Sequence, residues 1–217
     1  MQNRQKPVAT VGLDLSGPVN SVGTGVAVFR DLEFQEYDCD GSDASILALL
    51  RRLTPSYSVA IGMDAPLSYP TAGGFRERDH SLRAALRQAE INPNSVIPPL
   101  APRMVYLTLR GVAVSRLLQS EFNDSISIVE VHPTACLGLR GAPIDDVLNF
   151  KRHAGARSNL LNWFREQGMR GLEQKAGCTD HFIAACSAAL ATWKWAHGKH
   201  VWQVAAEPPF HPYGFVC

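Results

Sequence analysis

Long apolar segments are absent from this chain. None approaches the roughly 20 consecutive apolar residues that a membrane-spanning helix requires, and the first six residues are polar with no apolar leader segment behind them. From these absences we expect a cytoplasmic protein that has no membrane partner.

Cysteine is scarce and its spacing has no pattern. The five cysteines, Cys39, Cys136, Cys178, Cys186 and Cys217, are odd in number and form no C-x-x-C pair. This argues against a zinc site and a disulfide framework, and it predicts reduced, mostly buried thiols.

An excess of charge of either sign is also missing, because the formal net charge is only +1. Any contact with nucleic acid must therefore come from local basic patches. A content of 46% hydrophobic and 19% charged residues is typical of a globular protein, and no internal repeat interrupts the sequence. We predict one domain over residues 1–217, with a helical insertion at roughly 70–121.

Two apolar segments end in an aspartate. Residues 8–13 have the apolar character of a buried strand, and Asp14 follows before a Ser-Gly-Pro turn. A second strand at 25–29 makes a hairpin the simplest interpretation. Residues 58–63 are again a short apolar run, and Asp64 follows directly. Each aspartate alone also has an ordinary explanation as a turn residue that bonds its own backbone.

Two further elements add acidic side chains. Residues 125–132 alternate as a strand does, which predicts that Glu130 and His132 lie at its end, before Pro133. A helix is predicted from Asp180 to His197, with Thr179 as its N-cap. We expect its small-residue face to pack on the sheet and to direct Asp180 at the sheet edge. That face comprises Asp180, Ala184, Ala188 and Ala191.

Basic residues concentrate in the predicted insertion. Arg103 and Arg110 are seven residues apart on one face of a predicted helix, and no acidic residue occurs from Pro98 to Ser120. This pattern is typical of a solvated helix face, and it also suits a groove wall whose guanidinium groups bind phosphate oxygens. The sequence leaves both interpretations open.

The acidic residues at strand ends suit one kind of chemistry. Sites in α/β proteins form where strands end, and clustered carboxylates repel one another unless a cation neutralises them. Mg²⁺ and Mn²⁺ prefer oxygen ligands, and two such ions about 3.5–4 Å apart can bracket a phosphodiester. We therefore predict a site with two ions held by Asp14, Asp64, Glu130 and Asp180, with His132 assisting proton transfer.

The order of elements resembles the ribonuclease H-like fold, and six ordered motifs resemble domain-of-unknown-function family 429, described as predicted nucleases. The motifs are GLDLSGP, IGMDAPLSYP, APRMVYLTLRG, VEVHPTA, NFKRHAGAR and TDHFIAACSAALATWKW. The resemblance implies a mixed five-stranded sheet flanked by helices, with the insertion between strands 4 and 5. It also implies metal ligands at Asp14, Asp64 and Asp180, and phosphate contacts at Lys151 and Arg157.

One position departs from the fold's pattern. Many nucleases of this fold carry a second acid in the last helix, where this chain has Ala184. Glu130 would then have to supply the fourth ligand.

The predicted function is a metal-dependent nuclease that hydrolyses DNA or RNA, and its oligomeric state is left open, a homodimer included. One alternative is a non-catalytic module that binds nucleic acid or protein. Another is an actin-like or sugar-kinase-type ATPase, whose phosphate hairpin resembles residues 14–25. The ATPase would need a second such hairpin, which the sequence lacks.

Overall fold

A mixed β-sheet forms the centre of the protein in the computed structural model, which describes residues 6–20, 23–39, 41–173 and 178–217. Within these residues the sheet has seven strands in the order β3-β2-β1-β4-β5-β7-β6. The strands are β1 (Val8–Asp14), β2 (Gly25–Arg30), β3 (Glu33–Asp38), β4 (Ser58–Asp64), β5 (Ile126–Val131), β6 (Gln203–Val204) and β7 (Gly214–Val216).

The directions of the strands identify the fold. Strands β1, β2 and β3 form an antiparallel meander, β4 pairs in parallel with β1, and β5 pairs in parallel with β4. Together with helices on both faces, this arrangement confirms the predicted ribonuclease H-like α/β fold. The five predicted strands are all present. Strands β7 and β6 extend the sheet beyond β5, and the two-residue β6 is too short to have a recognisable pattern.

Seven α-helices flank the sheet in the described residues: α1 (Asp43–Leu53), α2 (Glu77–Gln88), α3 (Val105–Phe122), α4 (Pro133–Leu139), α5 (Ile144–Asn149), α6 (Ala154–Glu166) and α7 (Asp180–Ala196). Helices α1 and α3 pack on one face of the sheet, and α7 packs on the other with α6 outside it. The sequence prediction missed α4 and α5, because six or seven residues give too few turns to establish a helical period. None of the described helices is long and apolar enough to cross a membrane.

Helix α7 lies unusually close to β1 and β4. A Cβ atom added to Gly12 of β1 would be 1.9 Å from the carbonyl oxygen of Ala185, and one added to Gly62 of β4 would be 2.1 Å from Oγ1 of Thr192. Only glycine permits this approach of helix to sheet. The close packing holds the first turn of α7 beside the end of β1.

The predicted insertion lies between β4 and β5. It comprises α2, a short 3₁₀ helix at Pro93–Ser95, and α3. Buried residues of α2 pack against the β5 and β7 end of the sheet, whereas those of α3 pack on the opposite face with α1. The insertion therefore wraps the carboxyl ends of the central strands.

Candidate active site

Asp14 and Asp64 are neighbours at the carboxyl ends of two central strands. They occupy the same register position in the parallel pair β1 and β4, so their side chains point to the same face of the sheet. The two carboxyl groups share a hydrogen bond. Burial, followed by the charge of Asp14, raises the pKa of Asp64 well above its usual range. Burial and the proximity of the Asp14 charge thus favour the protonated form of Asp64.

Two basic side chains flank this carboxyl pair. The charge of Lys151, in the turn between α5 and α6, acts to lower the pKa of Asp64 and so favours its ionised form. On the other side, Nδ1 of His181 lies 2.7 Å from Oδ2 of Asp14. This hydrogen bond is the main reason why the pKa of His181 is raised. Since a carboxylate can only accept, Nδ1 carries the proton and Nε2 remains available.

His181 takes the place that the sequence analysis gave to Asp180. The α7 residues whose atoms lie against the glycines of the sheet are His181, Ala185, Ala188, Ala189 and Thr192. This contact face is turned by one residue, about 100°, from the predicted face that begins at Asp180. Asp180 lies in the first turn next to His181 and is half-buried. The sequence could identify His181 only if the rotation of α7 about its axis, relative to the sheet, were already known.

Glu130 points away from the aspartate pair. In the register of β4 and β5, Val129 pairs with Gly62 and Glu130 pairs with Met63. Because Asp64 shares the face of Gly62, period-two alternation places Glu130 on the opposite face. There its oxygens accept hydrogen bonds from Arg76 at 2.5 and 2.8 Å and from the backbone N–H of Leu67 at 2.9 Å. The structure thus corrects the expectation that Glu130 completes a ligand set with Asp14 and Asp64.

His132 is occupied by structural contacts. Its Nδ1 accepts the backbone N–H of Ala135 at 3.2 Å, which caps α4. Its Nε2 then donates to the carbonyl of Ser95 at 3.1 Å, which ties the insertion to the end of β5. Burial lowers the pKa of His132, so the imidazole is neutral. With both ring nitrogens bonded, it is not free to assist proton transfer as predicted.

The four predicted phosphate-binding residues divide into two pairs. Arg110 is buried and bonds Asp43, Thr24 and the carbonyl of Gly41, so it braces α3 against the β1–β2 hairpin and α1. Arg157 donates to the carbonyl of Phe150 at 2.8 Å and braces the turn before α6. These contacts run against the predicted phosphate role of both arginines. Arg103 and Lys151 are exposed.

A cavity of about 400 Å³ opens beside Asp64, between the carboxyl ends of the strands and the insertion. Its lining includes several predicted site residues, namely Asp64, Arg103, Glu130, His132 and Lys151. Glu130 reaches it together with its partner Arg76. The cavity therefore combines Asp64, one member of the carboxyl pair, with the two exposed cations Arg103 and Lys151.

A divalent metal ion fits this site only in part. Mg²⁺ in proteins is commonly held by one or two carboxylates, with water and substrate phosphate completing its octahedron. Asp14 and Asp64 fit that arrangement, and a bound cation would relieve the repulsion between their adjacent carboxyl groups. Over the described ranges, however, no three Asp, Glu, His or Cys side chains are grouped to hold an ion. The donor set fits one ion rather than the predicted two.

The fold and the site define a ribonuclease H-like α/β protein with paired aspartates at adjacent strand ends. Residues 12–208 match the family described as "Protein of unknown function (DUF429)", and the chain belongs to this family. No curated protein matches the chain. Among solved structures, the one described as "T. thermophilus RuvC in complex with Holliday junction substrate" is similar at 11% identity and a TM-score of 0.47. The match covers 88% of this chain and 97% of that one. The strand order and strand directions identify the fold.

Proposed function

We propose that this protein is a divalent-metal-dependent phosphodiesterase that cleaves nucleic acid at the Asp14–Asp64 pair. The observation that carries the proposal is the placement of these two carboxyl groups on one face at the ends of adjacent parallel strands. The pair is costly to maintain without a cation, because Asp64 ionises only with difficulty there. Such perturbed groups in a cavity are typical of functional sites.

Each residue near the pair has a role in this proposal. Asp14 and Asp64 would hold one Mg²⁺ or Mn²⁺ ion, and when bound the ion would activate water and offset charge on the phosphate. Lys151 and Arg103 contribute positive charge at the cavity and bind phosphate oxygens. His181, oriented by Asp14, holds a proton on Nδ1 and can exchange one at Nε2.

The test compares the wild type with Asp14→Asn in the presence of Mn²⁺ on single-stranded, duplex and branched DNA and RNA. We expect Mn²⁺-dependent cleavage by the wild type and a loss of at least about 100-fold in Asp14→Asn, because ligands and their supports dominate activity at metal sites. Asp124→Asn is the matched control, since Asp124 is an exposed acid just before the amino end of β5, whereas the aspartate pair lies at the carboxyl ends of the strands. Equal cleavage by wild type and Asp14→Asn would refute the proposal.

A non-catalytic nucleic-acid-binding module is the second candidate. It is favoured by one observation, that no third ligand joins the aspartate pair among the described residues. Calorimetric titration with Mn²⁺ separates the two candidates. A catalytic site binds the ion through Asp14 and Asp64, whereas a non-catalytic module gives the same weak heat for wild type and Asp14→Asn.

A further inference from the structure

The size of the cavity beside Asp64 limits what the site can accept. Its volume of about 400 Å³ lies in the range of pockets that enclose small ligands. An intact duplex is bound differently, across an extended and strongly positive surface. A pocket of this size accommodates one unit of a polymer at a time.

The wall that the insertion contributes is held in place from several sides. Arg83 donates to the carbonyls of Pro93 and Val96 at 2.8 and 3.0 Å. Thr108 donates to the carbonyl of Pro99 at 2.7 Å, and His132 bonds the carbonyl of Ser95. The segment between α2 and α3 is therefore a preformed wall, and a ligand need not order it on binding.

The chemistry of this wall suits a nucleobase. Val96, Ile97 and Leu107 present apolar surface to the cavity, and Asn94 adds an exposed side-chain amide. The Oγ atom of Ser95 is buried and has no hydrogen-bond partner among the described residues. A buried hydroxyl without a partner is unfavourable in a native protein unless a ligand or water satisfies it.

The charged groups at the same cavity suit a phosphate. Lys151 and Arg103 line it together with Asp64. The cavity thus joins an apolar wall and a side-chain amide to cations beside the proposed metal-binding carboxylate. A base that is stacked and paired in a duplex has neither its faces nor its edge available, whereas an unstacked base has both.

We propose that this cavity takes one unstacked nucleotide, so that the substrate of the site is single-stranded nucleic acid. This inference rests on the proposed function for the position of the scissile phosphate. The base would lie against the wall formed by Val96, Ile97 and Leu107, with the side-chain amide of Asn94 at its edge. The phosphate would lie at Lys151 and Arg103.

The test measures binding by fluorescence anisotropy with labelled single-stranded and duplex oligonucleotides of one sequence, in Ca²⁺ to support binding. We expect the single strand to bind about tenfold more tightly than the duplex, and a nucleoside monophosphate to compete with it. Ile97→Trp should fill the cavity and weaken single-strand binding by about tenfold. Leu109→Trp is the matched control, because Leu109 is 62% exposed on α3 and does not line the cavity.

A second variant covers the case in which Ile97→Trp does not fold. Asn94→Leu alters an exposed side chain that makes no side-chain hydrogen bond in the described structure, and it should weaken single-strand binding without lowering the melting temperature. Equal binding of duplex and single strand, or unchanged binding by these variants, would overturn the inference.

Cleavage distinguishes the two proposals. Mn²⁺-dependent cutting within continuous duplex would keep the proposed function and refute this inference. Tight single-strand binding without cleavage would keep this inference and refute the proposed function.

Discussion

At the scale of single residues, the carboxyl group of Asp64 is costly to ionise in the folded protein. Its carboxyl group lies beside that of Asp14, and burial raises its pKa well above the ordinary value of 3.8. In the unfolded chain the same group ionises in mildly acidic solution. The folded state therefore loses stability relative to the unfolded state as the pH rises above the unfolded value and approaches the folded one.

Asp64→Asn should remove this cost. In the presence of a chelator, we expect the variant to melt at a higher temperature than the wild type at pH 8. The difference should be smaller at pH 5, because the wild type has lost less stability there through ionisation of Asp64 in the unfolded state. Thermal unfolding at the two pH values measures the effect. His181 also loses stabilising charge as the pH rises, but it does so in both proteins.

The control for this measurement is Asp124→Asn, which changes an exposed carboxyl. Its melting temperature should follow that of the wild type at both pH values. Parallel curves for Asp64→Asn and wild type would contradict the raised pKa of Asp64.

At the scale of elements, the contact of α7 with the sheet decides which side chain meets Asp14. Gly12 and Gly62 let the helix backbone approach β1 and β4. Residues 182–192 of the helix are consequently all buried. This close approach directs His181 at Asp14. The position of His181 in the site therefore depends on Gly12 and Gly62, which have no side chains to hold the helix away from the sheet.

Gly62→Ala should destabilise the protein by about 1–3 kcal/mol or more, because the new methyl group would overlap Thr192 and the carbonyl of Ala188. Chemical denaturation measures the loss. Gly155→Ala in α6 is the matched control, since a Cβ there meets nothing within 4 Å. Replacing a helical glycine should raise stability by about 0.5–1 kcal/mol. A Gly62→Ala protein as stable as the wild type would show that α7 can move away from the sheet.

At the scale of the whole molecule, a buried ionic cluster holds the insertion to the sheet. Arg76, just before α2, bonds Glu130 of β5, Asp79 of α2 and Ser68 of the segment after β4. Ser68 in turn bonds His211 near the final strand. These parts are far apart in the chain, and Arg76, Asp79 and Glu130 among them line the cavity. The shape of the site thus depends on a cluster that does not itself face the aspartate pair.

Glu130→Gln tests whether this carboxylate supports the structure or binds metal. We expect the free energy of unfolding to fall by about 1–3 kcal/mol, because hydrogen bonds to a charged partner are lost in a buried site. The affinity for Mn²⁺ in calorimetry should stay at the wild-type value.

Glu121→Gln is the control for that variant, since its ion pair with Arg51 is exposed and such pairs contribute about 0–1 kcal/mol. If Glu130→Gln instead lost Mn²⁺ affinity at unchanged stability, Glu130 would be a ligand as the sequence analysis predicted.

The sequence predicted the elements better than it predicted their contacts. The strands that end at Asp14 and Asp64, the helix that begins at Asp180 and the insertion were all recognisable from local patterns. Glu130 shows what such local patterns cannot predict. Its alternation with Ile126 and Ile128 was visible, but which face the aspartates share became known only from the register of β5 against β4.

The amino-acid sequence by itself determined that aspartates end two apolar strands, that a small-residue helix closes the chain's main fold, and that the fold is α/β, because these follow from local periodicity and turn chemistry. Tertiary structure decided that Asp14 and Asp64 meet, that His181 of α7 bonds Asp14, and that Arg110 and Glu130 serve as internal braces. Strand register and helix phase are set by packing between distant segments, and no local pattern encodes them.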